Sequence, residues 1–164
     1  MTHISITLLA VVTVAVVRGA DPVPEPPSLV VAVNKVNPVG NITGNELRFM
    51  FTGEIRLWPD KRKITLVQLD EHSAASRAMM RSIVKMTMPQ YRQQMLNMEF
   101  RGTEALPLKT LNSSEAACNF IYNVPGAVGV LEESARSIPG CQDRVRFLPA
   151  IPVGQASRGH AGGQ

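Results

Sequence analysis

From residue 28 onward, short apolar runs alternate with longer stretches whose apolar residues recur every three or four positions. Leu29–Val33 is almost wholly apolar, the pattern of a strand buried on both faces. Asn34–Asn41 is polar and contains Asn37-Pro38, so it reads as a loop. Thr43-Gly44-Asn45-Glu46 then has capping-box spacing, with Thr43 capping a helix start and Glu46 reaching back. That helix runs to about Thr52, carries Leu47, Met50 and Phe51 on one face, and ends at Gly53.

Trp58-Pro59-Asp60 marks a turn, and Ile64–Leu69 is the second predicted strand. A helix follows from Ser73 to about Met86, with Ala75, Met79, Ile83 and Met86 at helical spacing. Pro89 opens another that reaches about Met98, with Tyr91, Met95 and Met98 facing inward. Ser113–Tyr122 is a fourth helix, opened by Asn112 and Glu115 and buried through Ala116, Ala117, Phe120 and Ile121. Ala127–Leu131 and Val145–Leu148 are short strands. Strands separated by helices predict an α/β fold with a small, mostly parallel or mixed sheet flanked by helices.

Composition narrows the class. The chain has 164 residues, 45% of them hydrophobic and 18% charged, which argues for one folded domain and against disorder. A formal net charge of +4 is mild. The basic residues form no run longer than Lys61-Arg62-Lys63 and do not alternate with aromatics, so nucleic acid is not an expected partner.

Residues 1–20 read as a secretory signal: Ile4–Val17 is apolar apart from three hydroxyl residues, and Arg18-Gly19-Ala20 ends it. Residues 21–28 form a proline-rich linker, residues 29–150 the domain, and residues 151–164 a Gly-rich tail expected to be disordered. Periplasmic or other export follows, with no stable membrane span after signal removal, because no later stretch is long and apolar enough to span a bilayer. In an oxidising compartment Cys118 and Cys141 are able to pair, while Cys118 also suits a buried free thiol within its apolar helix. Two cysteines without neighbouring histidines do not make a zinc site, and no cofactor is expected.

The order of segments carries more information than any one motif. Val33-Asn34-Lys35-Val36-Asn37-Pro38 precedes the Thr43–Phe51 helix, Thr52-Gly53-Glu54-Ile55 and Trp58-Pro59-Asp60. A strand, a Ser-led helix, Met88-Pro89, Phe100-Arg101-Gly102 and Asn123-Val124-Pro125-Gly126-Ala127-Val128-Gly129-Val130 follow. This succession resembles the short phosphate ABC transporter substrate-binding-like proteins of the type 2 periplasmic-binding-protein superfamily, over about residues 29–131. The resemblance implies one lobe of that fold. It also implies phosphate or another small oxyanion as ligand, and a membrane importer or envelope protein as partner.

In full-length phosphate-binding relatives a strand ends in a Ser-containing loop that opens a helix, with an Arg about three residues later. The resemblance places the anion-binding stretch at Ser73, Ala74, Ala75, Ser76 and Arg77. Ser73 matches the motif serine. Ser76 stands where the motif has Arg, and the basic residue falls one position later at Arg77, rotated by about 100° on a helix. His72 replaces the Gly often found before the serine. Read from chemistry alone, Ser73 is an N-cap first and an anion ligand second, while Asp70 and Glu71 favour the helix dipole but repel an anion.

Catalysis finds no support. His72 has no placed nucleophile or orienting acid, and the glycines make no nucleotide-binding pattern. The chain is long enough for one lobe only, so a site lies on an open face unless a second copy or another protein covers it. A ligand-free interaction module of the envelope, with self-association, is therefore the competing expectation.

Overall fold

The computed structural model describes residues 27–101 and 106–149. The predicted signal, most of the linker and the Gly-rich tail lie outside the described residues. Five strands, β1 (Leu29–Asn34), β2 (Thr65–Leu69), β3 (Leu108–Leu111), β4 (Ala127–Glu132) and β5 (Val145–Phe147), form one sheet in the order β3-β2-β4-β1-β5. β2 is parallel to β3 and β4, whereas β1 is antiparallel to β4 and β5. The sheet is thus mixed, with equal shares of parallel and antiparallel pairing. The reason lies in residues 35–64, which leave β1 and enter β2 at the same end of the sheet, so these two strands run in opposite directions.

The helices are α1 (Gly44–Phe51), α2 (Ala74–Met79), α3 (Met88–Phe100), α4 (Ser114–Asn123) and α5 (Pro139–Gln142). Thr43 caps α1 through a complete capping box: Glu46 N donates to Thr43 Oγ1 at 3.2 Å, and Thr43 N donates to the Glu46 carboxylate at 2.8 Å. Hydrogen bonds from the Thr43 backbone and hydroxyl hold the Glu46 carboxyl below the usual carboxylate range. Leu47, Met50 and Phe51 are buried, and Gly53 takes φ +80° just beyond the helix.

α2 continues as a π-helical stretch over Met80–Val84 that stops where Lys85 turns left-handed. The predicted helix from Ser73 to Met86 is therefore two segments, buried through Ala75, Ser76, Ala78, Met79, Met80, Ile83 and Val84. α4 is capped by Ser113 rather than Asn112, and buries Ala117, Cys118 and Ile121. The four-residue edge strand β3 was not expected, because Leu108–Leu111 is half exposed and carries Lys109 and Thr110. The structure joins Cys118 to Cys141 in a disulfide that ties α4 to α5.

β1 and β4 are buried almost throughout, so both faces of the sheet are covered. Crossovers between parallel strands are right-handed as a rule. The β2-to-β3 connection moves one way along the sheet and the β3-to-β4 connection moves back. Those two connections accordingly place α2 and α3 on one face and α4 on the other. α4 lies over Gly129, where an added Cβ would meet Ile121 Cδ1 at 3.0 Å.

α3 fits the core least well. It buries Tyr91 alone; Met95 and Met98, expected inward, are only partly covered, and Leu96 and Phe100 are exposed. Among the described residues the buried Tyr91 hydroxyl has no hydrogen-bond partner, and burial pushes its pKa from about 10 up to about 12. Between those values the unfolded chain loses a proton that the folded chain keeps, so stability is intact below pH 10 and falls as pH rises toward 12. The melting temperature is expected to fall more steeply over that range in the natural protein than in Tyr91→Phe. Parallel profiles for the two would contradict this account.

Candidate functional site

In an open sheet with parallel strands, ligands bind outside the carboxyl ends of the strands, where the direction of winding reverses. Here β2 leads on to β3 at one side of it, while β4, its other neighbour, leads on to β5 at the far edge. The carboxyl end of β2 is therefore the place that topology favours, and the chain leaving it is the Asp70–Arg77 loop and helix start.

Asp70 organises that loop. Its side chain accepts from His72 N at 2.9 Å and its carbonyl from Ser73 N at 2.9 Å. Ser73 then caps α2: its Oγ accepts from Ser76 N at 3.1 Å, and its carbonyl accepts from Arg77 N at 3.1 Å. The amides of Ala74 and Ala75 precede the first intrahelical bond and belong to the unpaired first turn. Ala75 is buried and Ala74 is half-buried.

The one-residue offset between Ser76 and Arg77 has a structural meaning. Ser76 points inward, 2% exposed, and its hydroxyl donates to the Leu69 carbonyl at 2.6 Å. That bond fastens the first turn of α2 to the end of β2. Arg77 is exposed, as the rotation predicts, yet its guanidinium folds back and donates to the His72 carbonyl. The site thus has a cation at the helix start, although by a different route from an Arg at position 76.

The surroundings oppose an anion. The Glu71 carboxylate lies 3.5 Å from Arg92 Nη1 and 3.6 Å from His72 Nε2, and Asp70 is exposed beside it. Glu132 and Glu133 follow from the carboxyl end of β4, with Arg136 Nε 2.5 Å from Glu133. Ser73, Ala74, Ala75, Ser76 and Arg77 form one helix start, in which the Ser76 hydroxyl is committed to the Leu69 carbonyl. The signal was there in the spacing, since the i+3 position after an N-cap returns to the capping side.

Asn34, Trp58, Arg62 and the Asn123–Gly126 turn lie at the other end of the sheet. Trp58 is buried, and its indole Nε1 donates to the Gly126 carbonyl at 3.0 Å. Arg62 reaches the Pro125 carbonyl at 3.5 Å and the Val36 carbonyl at 3.4 Å. Asn34 Nδ2 donates to the carbonyls of Ile121 and Tyr122, both at 2.8 Å, satisfying the last turn of α4. These residues determine the fold.

Among the described residues no group of His, Cys, Asp and Glu is arranged to hold a metal ion, and no helix is long and apolar enough to cross a membrane.

No family model matches the chain, and no curated protein matches it. Comparison with solved structures shows a similar fold in part of larger chains. PstS from Borrelia burgdorferi superimposes with a TM-score of 0.56 at 15% identity, over 74% of this chain and 46% of its own. An ABC-type phosphate transport receptor from Vibrio cholerae gives a TM-score of 0.50 at 18% identity, over 74% and 45%. The chain spans less than half the length of either protein.

Proposed function

We propose that this chain is an exported single-lobe solute-binding-like protein that contacts phosphate or another small oxyanion at the start of α2. Its role is binding rather than catalysis, in connection with import or sensing. The observation that carries the reading is the Ser73–Arg77 helix start at the carboxyl end of β2, which brings two first-turn amides, a capping hydroxyl and a guanidinium into five consecutive residues. The name of the solved neighbours, phosphate receptors, supports the choice of ion.

The affinity is expected to be low. The start of α2 is partly exposed, and Asp70 and Glu71 stand beside it. A dissociation constant of about 1 mM corresponds to roughly 4 kcal/mol, a fair return for a few exposed hydrogen bonds. Calorimetric and thermal-shift titration of the full chain with phosphate tests this. At tenfold excess over the dissociation constant the fold should gain about 1.4 kcal/mol. Equal melting temperatures with and without tens of millimolar phosphate, ionic strength matched, would remove the ion from the proposal.

A second reading has one specific observation behind it. Val36, Leu57 and Tyr122 are large, exposed apolar side chains at the end of the sheet opposite Ser73. A protein-binding module of the envelope would use that end. Leu57→Ala abolishing capture of a partner while phosphate binding persists would favour it. Trp58 is unsuited as a probe, since it is 3% exposed and holds Gly126.

A further inference from the structure

Three loops meet at the end of the sheet opposite Ser73: residues 34–37 after β1, residues 57–63 before β2, and residues 122–126 before β4. They are tied to one another. Arg62 donates to the Val36 carbonyl at 3.4 Å and to the Pro125 carbonyl at 3.5 Å. Asn34 Nδ2 donates to the Tyr122 carbonyl, and the Trp58 indole to the Gly126 carbonyl. Tight turns close two of the tips, with Asn37 N donating to the Asn34 carbonyl and Lys61 N to the Trp58 carbonyl. The three tips therefore form one platform, set by bonds to backbone carbonyls.

Two kinds of side chain stand out from it. Among the described residues, Val36 is 64% exposed, Tyr122 54% and Leu57 51%, and Lys35, Lys61 and Lys63 are exposed as well. Leu57 and Lys63 are partners in an isolated antiparallel bridge, so an apolar and a cationic side chain leave the same face together. Lys35 and Val36 are neighbours at the first tip, and Lys35 Nζ rests on the Asp143 carbonyl. The three loops contain four cations and one acid, and that acid, Asp60, is paired with Arg62.

This mixture selects among partners. A soluble polyanion gains from the lysines but leaves three large apolar side chains in water. An anionic lipid surface answers both: its negative potential attracts the lysines, and the apolar layer beneath takes the other three, with a tyrosine suited to the boundary. We propose that this end of the molecule docks on an anionic lipid surface. Lys35, Lys61 and Lys63 meet the headgroup phosphates, and Val36, Leu57 and Tyr122 enter the boundary between headgroups and acyl chains. The surface is the one a protein partner would use, with a different partner assigned to it, and it does not depend on the anion site at α2.

Cosedimentation of the full chain with vesicles tests this, comparing phosphatidylcholine alone with an equal mixture of phosphatidylcholine and phosphatidylglycerol. At low salt the anionic vesicles are expected to bind about tenfold more tightly or better, since each lysine near such a surface is worth about fivefold. Salt near ~1 M should abolish the difference. Lys35→Glu together with Lys61→Glu should also remove it, and Val36→Ser together with Leu57→Ser should weaken anionic binding about tenfold. Tyr122→Ser replaces the second pair should that pair melt early. The apolar Ile4–Val17 stretch is present in every variant, so its own affinity for lipid cancels in these comparisons. Equal binding to the two kinds of vesicle would overturn the proposal, as would a charge-reversed pair that keeps the natural preference. Displacement by soluble polyglutamate, with vesicle binding unchanged in the folded serine variants, would assign this end to an acidic polypeptide and overturn it too.

Discussion

Gly126→Ala is expected to cost about 3 kcal/mol or more and to leave little folded protein at 37 °C. A Cβ at this position would sit 2.1 Å from the Lys63 carbonyl oxygen, a backbone atom at the entry to β2. Relief requires moving one strand away from the other. The Gly126 carbonyl is also the acceptor for Thr65 N at 3.0 Å and for Trp58 Nε1 at 3.0 Å, so the same movement strains the β2–β4 junction and the buried indole together. Gly40→Ala is the matched control, because nothing lies within 4 Å of its added methyl. Denaturant unfolding should separate the two variants by several kcal/mol, with Gly40→Ala within about 0.5 kcal/mol of the natural chain. A Gly126→Ala protein of near-natural stability would mean that the junction is built differently.

The second large effect belongs to the disulfide. Replacing Cys118 and Cys141 together with Ala removes a cross-link across a sequence separation of 23 residues. The expected loss is about 3 kcal/mol, largely through the freer unfolded chain. A domain of this size should melt on the order of 10 °C lower. The bridge also fixes α5, which leads directly into β5 and the antiparallel pairing of Val145 with Asn34. Backbone amides of β5 should therefore exchange with solvent faster in the double variant than those of β2, which α5 does not support. A melting temperature equal to that of the natural protein would contradict a bridge formed in solution.

Much of this fold was legible because its signals are local. The Leu29–Val33 run, the Thr43–Glu46 box, Gly53, Pro89 and the Ser73 cap each report on their own few residues, and each appears where its chemistry demands. The misses share a different cause. β3 is a short edge strand whose half-exposed residues have little burial to encode, and it is recognisable only through its partner β2. The inward positions assigned to Met95 and Met98 followed helical spacing. Spacing does not say how closely a helix approaches a sheet, and α3 stands off far enough to leave a groove.

The Asp70–Arg77 loop and helix start were legible in position but not in detail. A serine at an N-cap and an arginine four residues later place both groups at one helix start. That Ser76 turns inward to Leu69, and that Arg77 bends back to His72, depends on how α2 lies against β2. Gln68 stands between Val67 and Leu69 with no local signal of its role, and its side-chain oxygen, unpaired among the described residues, is apparent only once α3 and Thr110 are in place.

The most direct test of the proposed binding role is a phosphate titration followed at single amides of the labelled full chain. The Ala74 and Ala75 amides are expected to shift most, in step with the Arg77 side chain, saturating with a constant of about 1 mM. Ser73→Ala should weaken that response, and chloride at equal ionic strength should not reproduce it. Silence of Ala74, Ala75 and Arg77 while phosphate reaches tens of millimolar would contradict the oxyanion site at this helix start.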